Sequence, residues 1–344
     1  MDKKWIPNSE PLKYFSRHEK KLSEKIKNEN IENETQDEKI DSNIKFHLNR
    51  EIAFMEDKFG ENKFKWMKEN DDKYIMPKYF LERHYLRPET RTKMIDWMIE
   101  VFYITQSDSG ALQLAVYLMD SFISKTKKTL YDNNIYIIGL TCVYLASKLL
   151  DDKPLKLIDI VEIIGKNQIK TEDIIEKEKE ISWIINYDFY VIGVYDYTMV
   201  LFYGLIVNHC KKIKKLKARN IINKYMDFCE ILSKLVLYKD DLLSYKTSLL
   251  SIGVLYFGLD ILCLKEKSIT KNLRYYLYNW ISEIIKKFDF LPNDINFIYN
   301  EILKIYKVYI YHPIEQNKKS NLNKKGKKFL ELTNIAKYYR EKLL

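Results

Sequence analysis

The sequence predicts an all-α protein: two tandem sets of five helices behind an N-terminal helix. Three observations carry this expectation. The residues that punctuate sheets are scarce, with 9 Gly and 7 Pro among 344 residues, while apolar residues recur at helical spacing. Two stretches, NIYIIGLTCVYLASKLL (134–150) and TSLLSIGVLYFGLDILCL (247–264), are apolar nearly all round, the first through Leu145, so each reads as a helix enclosed by others. Both hold third place in a run of five helical segments. Their offset of about a hundred residues is too long for a solenoid repeat and suits a duplicated domain.

Taken in order, residues 1–42 are polar, of mixed charge and poor in apolar periodicity, which predicts a flexible tail. Residues 43–89 are an N-terminal helix and lead-in. Ile44, Phe46, Leu48, Ile52, Phe54, Met55 and Phe59 permit the helix, and a loop holding Pro77 and Pro88 follows it. The first set, 90–190, places helices near 90–106, 109–124, 134–149, 156–164 and 171–187, separated by SDSG, KTKKTLYDNN, DDKP and GKNQIKTED. The second, 191–311, places them near 195–210, 218–237, 243–262, 271–288 and 294–309, and residues 312–344 form a basic segment over the surface.

Composition narrows the function more by exclusion than by assertion. Net charge is +10, clumped in HCKKIKKLKAR (209–219) and KKSNLNKKGKK (318–328). Such runs suit nucleic acid or nuclear import, but in a chain this rich in Lys and Asn they are expected to be solvated loops. The four cysteines, Cys142, Cys210, Cys229 and Cys263, stand apart within apolar segments and read as reduced core thiols. The N-terminus has no apolar stretch suited to a signal peptide, and 248–264, interrupted by Asp260, reads as a buried helix rather than a membrane span. No phosphate-binding glycine loop, nucleophile elbow, zinc-protease motif or EF-hand is present, and the five histidines are dispersed. No catalysis, metal or cofactor is therefore expected. The acidic pairs Asp71–Asp72, Asp151–Asp152 and Asp240–Asp241 read as solvated turns.

Three charges do not fit the helical pattern. Wound as a helix, ETRTKMIDWMIEVF (89–102) puts Met94, Ile95, Trp97, Met98, Ile99, Val101 and Phe102 on one face, with Arg91 in the middle of that arc and Lys93, Asp96 and Glu100 opposite. A buried unpaired guanidinium costs several kcal/mol. Either Arg91 stays at a frayed helix start or another residue answers it. Glu178 stands at the centre of the arc formed by Ile174, Ile175, Ile181, Ile184 and Ile185, and Lys148 closes a helix that is otherwise interior. An internal bridge, snorkelling side chains or a partner would each account for these two.

At these residues the chain resembles the cyclins, in particular the A/B, mitotic type. RTKMIDWMIEV is similar to that family's opening of the cyclin box, at Arg91, Asp96, Trp97 and Glu100. The likeness continues through LAVYLMDSFIS, through GLTCVYLASKLLDDKPLKLIDIV with its Ala-Ser-Lys, and to EKEISWIINYDF, where the family places a glutamate about ten residues before an aromatic-Asp pair. NIKFHLNREIAFMEDKF resembles the helix before the box. The resemblance is specific over residues 44–190 and weaker, in helix order, to about 310. It implies two tandem five-helix cyclin folds, no enzymatic activity and no cofactor. It also implies a heterodimer with a cyclin-dependent protein kinase in nucleus or cytoplasm, contact with that kinase's substrates, and no membrane or nucleic acid.

The resemblance also implies roles. The family's helix-one arginine pairs with an aspartate of helix two, here Asp120, although projection sets Asp120 at the polar edge of its helix. Lys148 and Glu178 fall where cyclins reach the backbone of the kinase near its αC helix, so neither is expected to have an internal partner. The family's substrate-docking patch falls on Thr90, Met94, Trp97 and Tyr136, beside Glu100; only the tryptophan is kept, so docking of Arg-x-Leu segments is expected to be poor. VYDYT replaces the family's Pro-Thr after helix five, and DDKP stands where Glu-Glu is usual. Of degradation motifs, RxxL occurs at Arg83–Leu86 and KEN at Lys68–Asn70. Two other readings share the fold: a DNA-binding general transcription factor of TFIIB type, which leads with a zinc ribbon that this cysteine-free N-terminus lacks, and a kinase-free scaffold.

Overall fold

In the computed structural model the described residues are 65–316, apart from 106, 162–168, 203 and 205–218. The tail, the N-terminal helix expected from Ile44 to Phe59, both basic clusters (but for the backbone of Arg219), Cys210 and most of the basic C-terminal segment lie outside them.

The chain enters through a short helix at 65–69 and two 3₁₀ turns, Asp71–Tyr74 and Phe80–Arg83. Five helices follow: α1 (Pro88–Ile104), α2 (Ser109–Lys125), α3 (Asn134–Leu150), the short α4 (Leu157–Asp159) and α5 (Thr171–Ile184). Residues 194–202 are helical, and then come α6 (Arg219–Val236), α7 (Thr247–Lys265), α8 (Lys271–Phe288) and α9 (Pro292–Gln316). Among the described residues there is no strand, only an isolated bridge between Tyr85 and Tyr131.

Local chemistry sets the ends. Pro88, read from sequence as part of the loop, is the first residue of α1, where its missing N–H has no helical acceptor to lose. The Asp108 carboxylate accepts from Gly110 N at 2.6 Å to cap α2. α5 stops at Ile184, short of the expected 187, because Asn186 and Tyr187 turn left-handed, with φ of 57° and 55°. α7 begins at Thr247 rather than 243, since Asp240–Ser244 forms its own 3₁₀ turn.

Two cores result, each built round one apolar helix. α3 packs against α1, α2 and α5; α7 packs against α6, α8 and α9. α7 is long and apolar enough to cross a membrane by length and composition alone, but it is mostly buried within the protein. Its one acidic residue, Asp260, is satisfied by the hydroxyls of Tyr278 and of Tyr299, the latter at 2.7 Å.

The acidic pairs are not all solvated turns. Asp71 is 3% exposed and caps α7 from far away in sequence, accepting from Ser248 N at 3.0 Å and from the Ser248 hydroxyl. Asp151 accepts from Ser107 Oγ at 2.8 Å, closing the loop between α1 and α2 onto the end of α3. The cores meet along a polar seam: Ser109 donates to Glu230 at 2.7 Å, Gln113 to Ser233 O at 3.2 Å, and Met76 N to Leu243 O at 2.8 Å. Leu237, beyond the end of α6, is buried in the first core.

Candidate functional site

Arg91 is 1% exposed, so it is no frayed helix start. It meets Asp120 of α2 edge-on, Nε to Oδ1 at 2.8 Å and Nη2 to Oδ2 at 2.7 Å, and Nη1 reaches Tyr238 O at 3.4 Å. Asp120, placed at a polar edge by projection, is equally buried at 1%. Burial alone would lower the Arg91 pKa, but the charge and hydrogen bonds of Asp120 hold it above its ordinary value. The pair fixes α1 against α2 and, through Tyr238, both against the second core.

Asp96, expected on the solvent side with Lys93 and Glu100, instead is half-buried and takes the Tyr238 hydroxyl. Burial raises its carboxyl pKa to about 6, against the pull of that hydrogen bond. Nothing in the sequence marked this contact, because Tyr238 lies 142 residues away.

Lys148 and Glu178 stand together at the surface, and here the expectation that neither has an internal partner is corrected. Lys148 Nζ lies 2.9 Å from Glu178 Oε1, with side chains 50% and 21% exposed. The hydrogen bond that Lys148 donates to Glu178 holds the Lys148 pKa above its ordinary value, and the Lys148 ammonium also stands 5.5 Å from the centre of the Tyr144 ring. α3 delivers the lysine in its last turn and α5 delivers the glutamate in its middle, where Ile174 and Ile181 are anchored in the core. Ile175, assigned by projection to the same arc, turns outward instead. With Leu149, Leu150 and Ile158 it is among the exposed large apolar side chains of α3 to α5. Exposed apolar side chains on α3, α4 and α5, beside an accessible ion pair between α3 and α5, are the chemistry of a protein contact.

The residues of the docking patch do not form one open surface. Met94 is 3% exposed and packs over Gly139 of α3, so close that a methyl group there would overlap its Cε. Trp97 stacks edge-on with Tyr136, ring centres 5.9 Å apart, and burial pushes the Tyr136 hydroxyl up to about 12. Thr90 bonds to Asp132, and Glu100 is half-buried. Met94 is therefore corrected from a patch residue to a core residue. Both degradation motifs are tied to the fold, although Lys68, Glu69 and Arg83 stay exposed. Lys68 donates to Lys287 O at 2.9 Å, Arg83 donates to Ser124 O at 2.9 Å, and Leu86 is buried.

Part of the chain is similar to known proteins. Residues 62–190 match the family model described as the cyclin N-terminal domain. The chain is 24% identical over 139 residues to the G2/mitotic-specific cyclin-B3 of Mus musculus, covering 40% of this chain and 10% of that protein. It is 27% identical over 130 residues to the cyclin-B3 of Gallus gallus, covering 38% and 32%. To the S-phase entry cyclin-5 of Saccharomyces cerevisiae it is 32% identical over 104 residues, covering 29% and 23%. The matched part thus spans from a tenth to a third of these relatives. Among solved structures, a viral cyclin from herpesvirus saimiri superposes with a TM-score of 0.52 at 16% identity, covering 72% of this chain and 98% of that one, which supports the all-α fold. The stretch 62–190, which opens its helical core on a buried Arg91–Asp120 pair and encloses α3, is thus similar to the cyclin N-terminal domain and, among curated proteins, to mitotic B-type cyclins.

Proposed function

We propose that this protein is the non-catalytic partner of a cyclin-dependent protein kinase, gripping the kinase near its αC helix through Lys148 and Glu178 and holding it in the active pose during the cell cycle. The observation that carries the reading is the ion pair itself. It joins the end of the enclosed helix α3 to α5, it is open to solvent, and Leu149 and Leu150 on α3, Ile158 on α4 and Ile175 on α5 are exposed. An exposed pair is worth about 0–1 kcal/mol, so exchanging it for bonds to a partner's backbone costs the fold little. Apolar neighbours that exclude water make those new bonds count: a lysine donates to carbonyls at a helix end, and a carboxylate accepts from amides. In a kinase the αC glutamate must approach the strand-three lysine before phosphates can be positioned. Shifting that equilibrium from mostly inactive to mostly active takes about 5 kcal/mol of preference for the active pose, within reach of a large interface. We read the second set of helices as a further cyclin fold, and substrate recruitment through the Met94–Trp97 region as weak, since Tyr136 and Thr90 are engaged within the chain.

The test is to purify the full chain, Lys148→Ala and Glu178→Ala, melt each, and titrate each into candidate cyclin-dependent kinases while following phosphorylation of a generic substrate. Each variant is expected to melt like the parent to within about 1 kcal/mol and to bind more weakly by about 1–3 kcal/mol. Variants that activate as the parent does would remove these residues from the contact.

A further inference from the structure

The second core holds a cleft that the proposed kinase contact does not use. Its volume is about 290 Å³, and it lies between α6 and α7 on a floor of Phe228, Ile231 and Leu262. Lys265, the last residue of α7, lines it. The Lys265 nitrogen is shut off from solvent and has no hydrogen-bond partner among the described residues. Lys224, the other lysine of the cleft, is by contrast tied to Glu266.

An ammonium offers three donors and no acceptor, so the group that completes Lys265 must accept hydrogen bonds. A buried cation without a counter-charge favours an anion over a neutral acceptor. Burial also pulls the Lys265 pKa below its ordinary value, as expected for a cation that lacks one. The remaining charges limit the anion: Lys224 is already neutralised by Glu266, and Asp227 adds a carboxylate to the lining, so a doubly charged group meets repulsion that a single charge largely escapes. The apolar floor and the volume, at the small end of ligand pockets, suit one ring or branched chain. We propose that this cleft binds a monocarboxylate joined to an aromatic or branched apolar group, with the carboxylate on Lys265 and the apolar part on Phe228, Ile231 and Leu262.

Such a group can be a free organic acid or an acidic side chain beside an aromatic one on a protein partner. Two probes separate the sources: phenylacetate, and the capped dipeptide acetyl-Phe-Glu-amide. Each is titrated into the full chain by calorimetry and ligand-observed NMR, with phenylacetamide as the uncharged control and inorganic phosphate as competitor. At least one carboxylate probe is expected to bind saturably. Phenylacetamide is expected to bind it more weakly by roughly tenfold to a hundredfold, the value of one charge-assisted hydrogen bond. Lys265→Met, which keeps the apolar stem, is expected to lose binding by the same factor with an unchanged or raised melting temperature. If that variant does not fold, the phenylacetate and phenylacetamide comparison on the parent chain decides alone. The tighter carboxylate probe names the source. Absence of saturable binding by both, equal binding of phenylacetamide, retention of affinity in folded Lys265→Met, or displacement of the probe by phosphate at comparable concentration would each overturn the proposal.

Discussion

A guanidinium removed from water inside α1 is tolerable only because Asp120 meets it with two parallel hydrogen bonds, at 2.8 and 2.7 Å, while Tyr238 O takes a third donor. Arg91→Ala leaves the Asp120 carboxylate buried and alone, which is expected to cost about 3–5 kcal/mol. Urea melts of Arg91→Ala, Asp120→Ala and the double variant check it; additive losses would dissolve the coupling. Arg91 was legible as an anomaly because its own helix face was apolar. Its partner was not legible from pattern, since projection judges polarity by neighbours on one helix, and nearly every side of α2 is buried by other elements. Asp96 failed for the same reason, its cover coming from Tyr238. Its carboxyl pKa, raised by burial from 3.8 to about 6, gives a signed expectation. A carboxyl that holds its proton more tightly when folded favours the folded state most below 3.8, and that advantage is lost as pH rises through about 6. Melts at pH 5 and pH 7.5 are therefore expected to show the parent losing about 1 kcal/mol more than Asp96→Asn, which keeps an acceptor for Tyr238 but does not titrate. Parallel losses would mean that Asp96 ionises normally.

At the scale of the element, the enclosed helices were the most legible parts, because a segment apolar on every side has only one place in a water-soluble fold. α3 and α7 fall where their composition put them. Boundaries drifted where the backbone rather than the side-chain pattern decides, at Pro88 and at the left-handed Asn186 and Tyr187. Asp71 was illegible because its acceptor role depends on a helix that begins 176 residues later. α7 also shows how tightly an enclosed helix can be held. A Cβ added at Gly253 would stand 2.5 Å from Cγ2 of Ile298 on α9, and a β-branched side chain has few rotamers in which to yield. Helix propensity alone favours Ala over Gly by about 1 kcal/mol. Here Gly253→Ala is expected to destabilise by about 1–3 kcal/mol through overpacking. Denaturant titration reads the sign directly, and a stabilised variant would mean that α9 shifts freely against α7. Ile298→Ala removes that Cγ2, so in the Gly253→Ala background it is expected to relieve the overlap, and the double variant to lose less than the sum of the two single losses.

Across the whole molecule, the question is whether two cores behave as one. Their sequence periods suggested a duplicated domain, and nothing in those periods specified how the halves join, because the joining atoms are single polar contacts between residues more than a hundred positions apart. The structure supplies them: Arg91 to Tyr238 O, Tyr238 to Asp96, Gln113 to Ser233 O, Ser109 to Glu230, and Leu237 sunk in the core of the other half. Two of these contacts start from α1, the helix that also carries Arg91 of the Arg91–Asp120 pair, and two from α2, so melting the first core removes partners from the second. Each bond contributes only about 0.5–1.5 kcal/mol net, but several broken together with a buried leucine exceed the margin by which half a protein this size stands alone. The expectation is one cooperative transition. It can be read with two single-tryptophan variants, one retaining Trp97 on α1 and the other Trp280 in the second core, each melted in urea beside far-ultraviolet dichroism of the same sample. Coincident midpoints for the two reporters are expected, and Leu237→Ala is expected to lower both by the same amount. Midpoints that separate in the parent chain would show the halves to be independent, with the seam a contact of convenience rather than part of the fold.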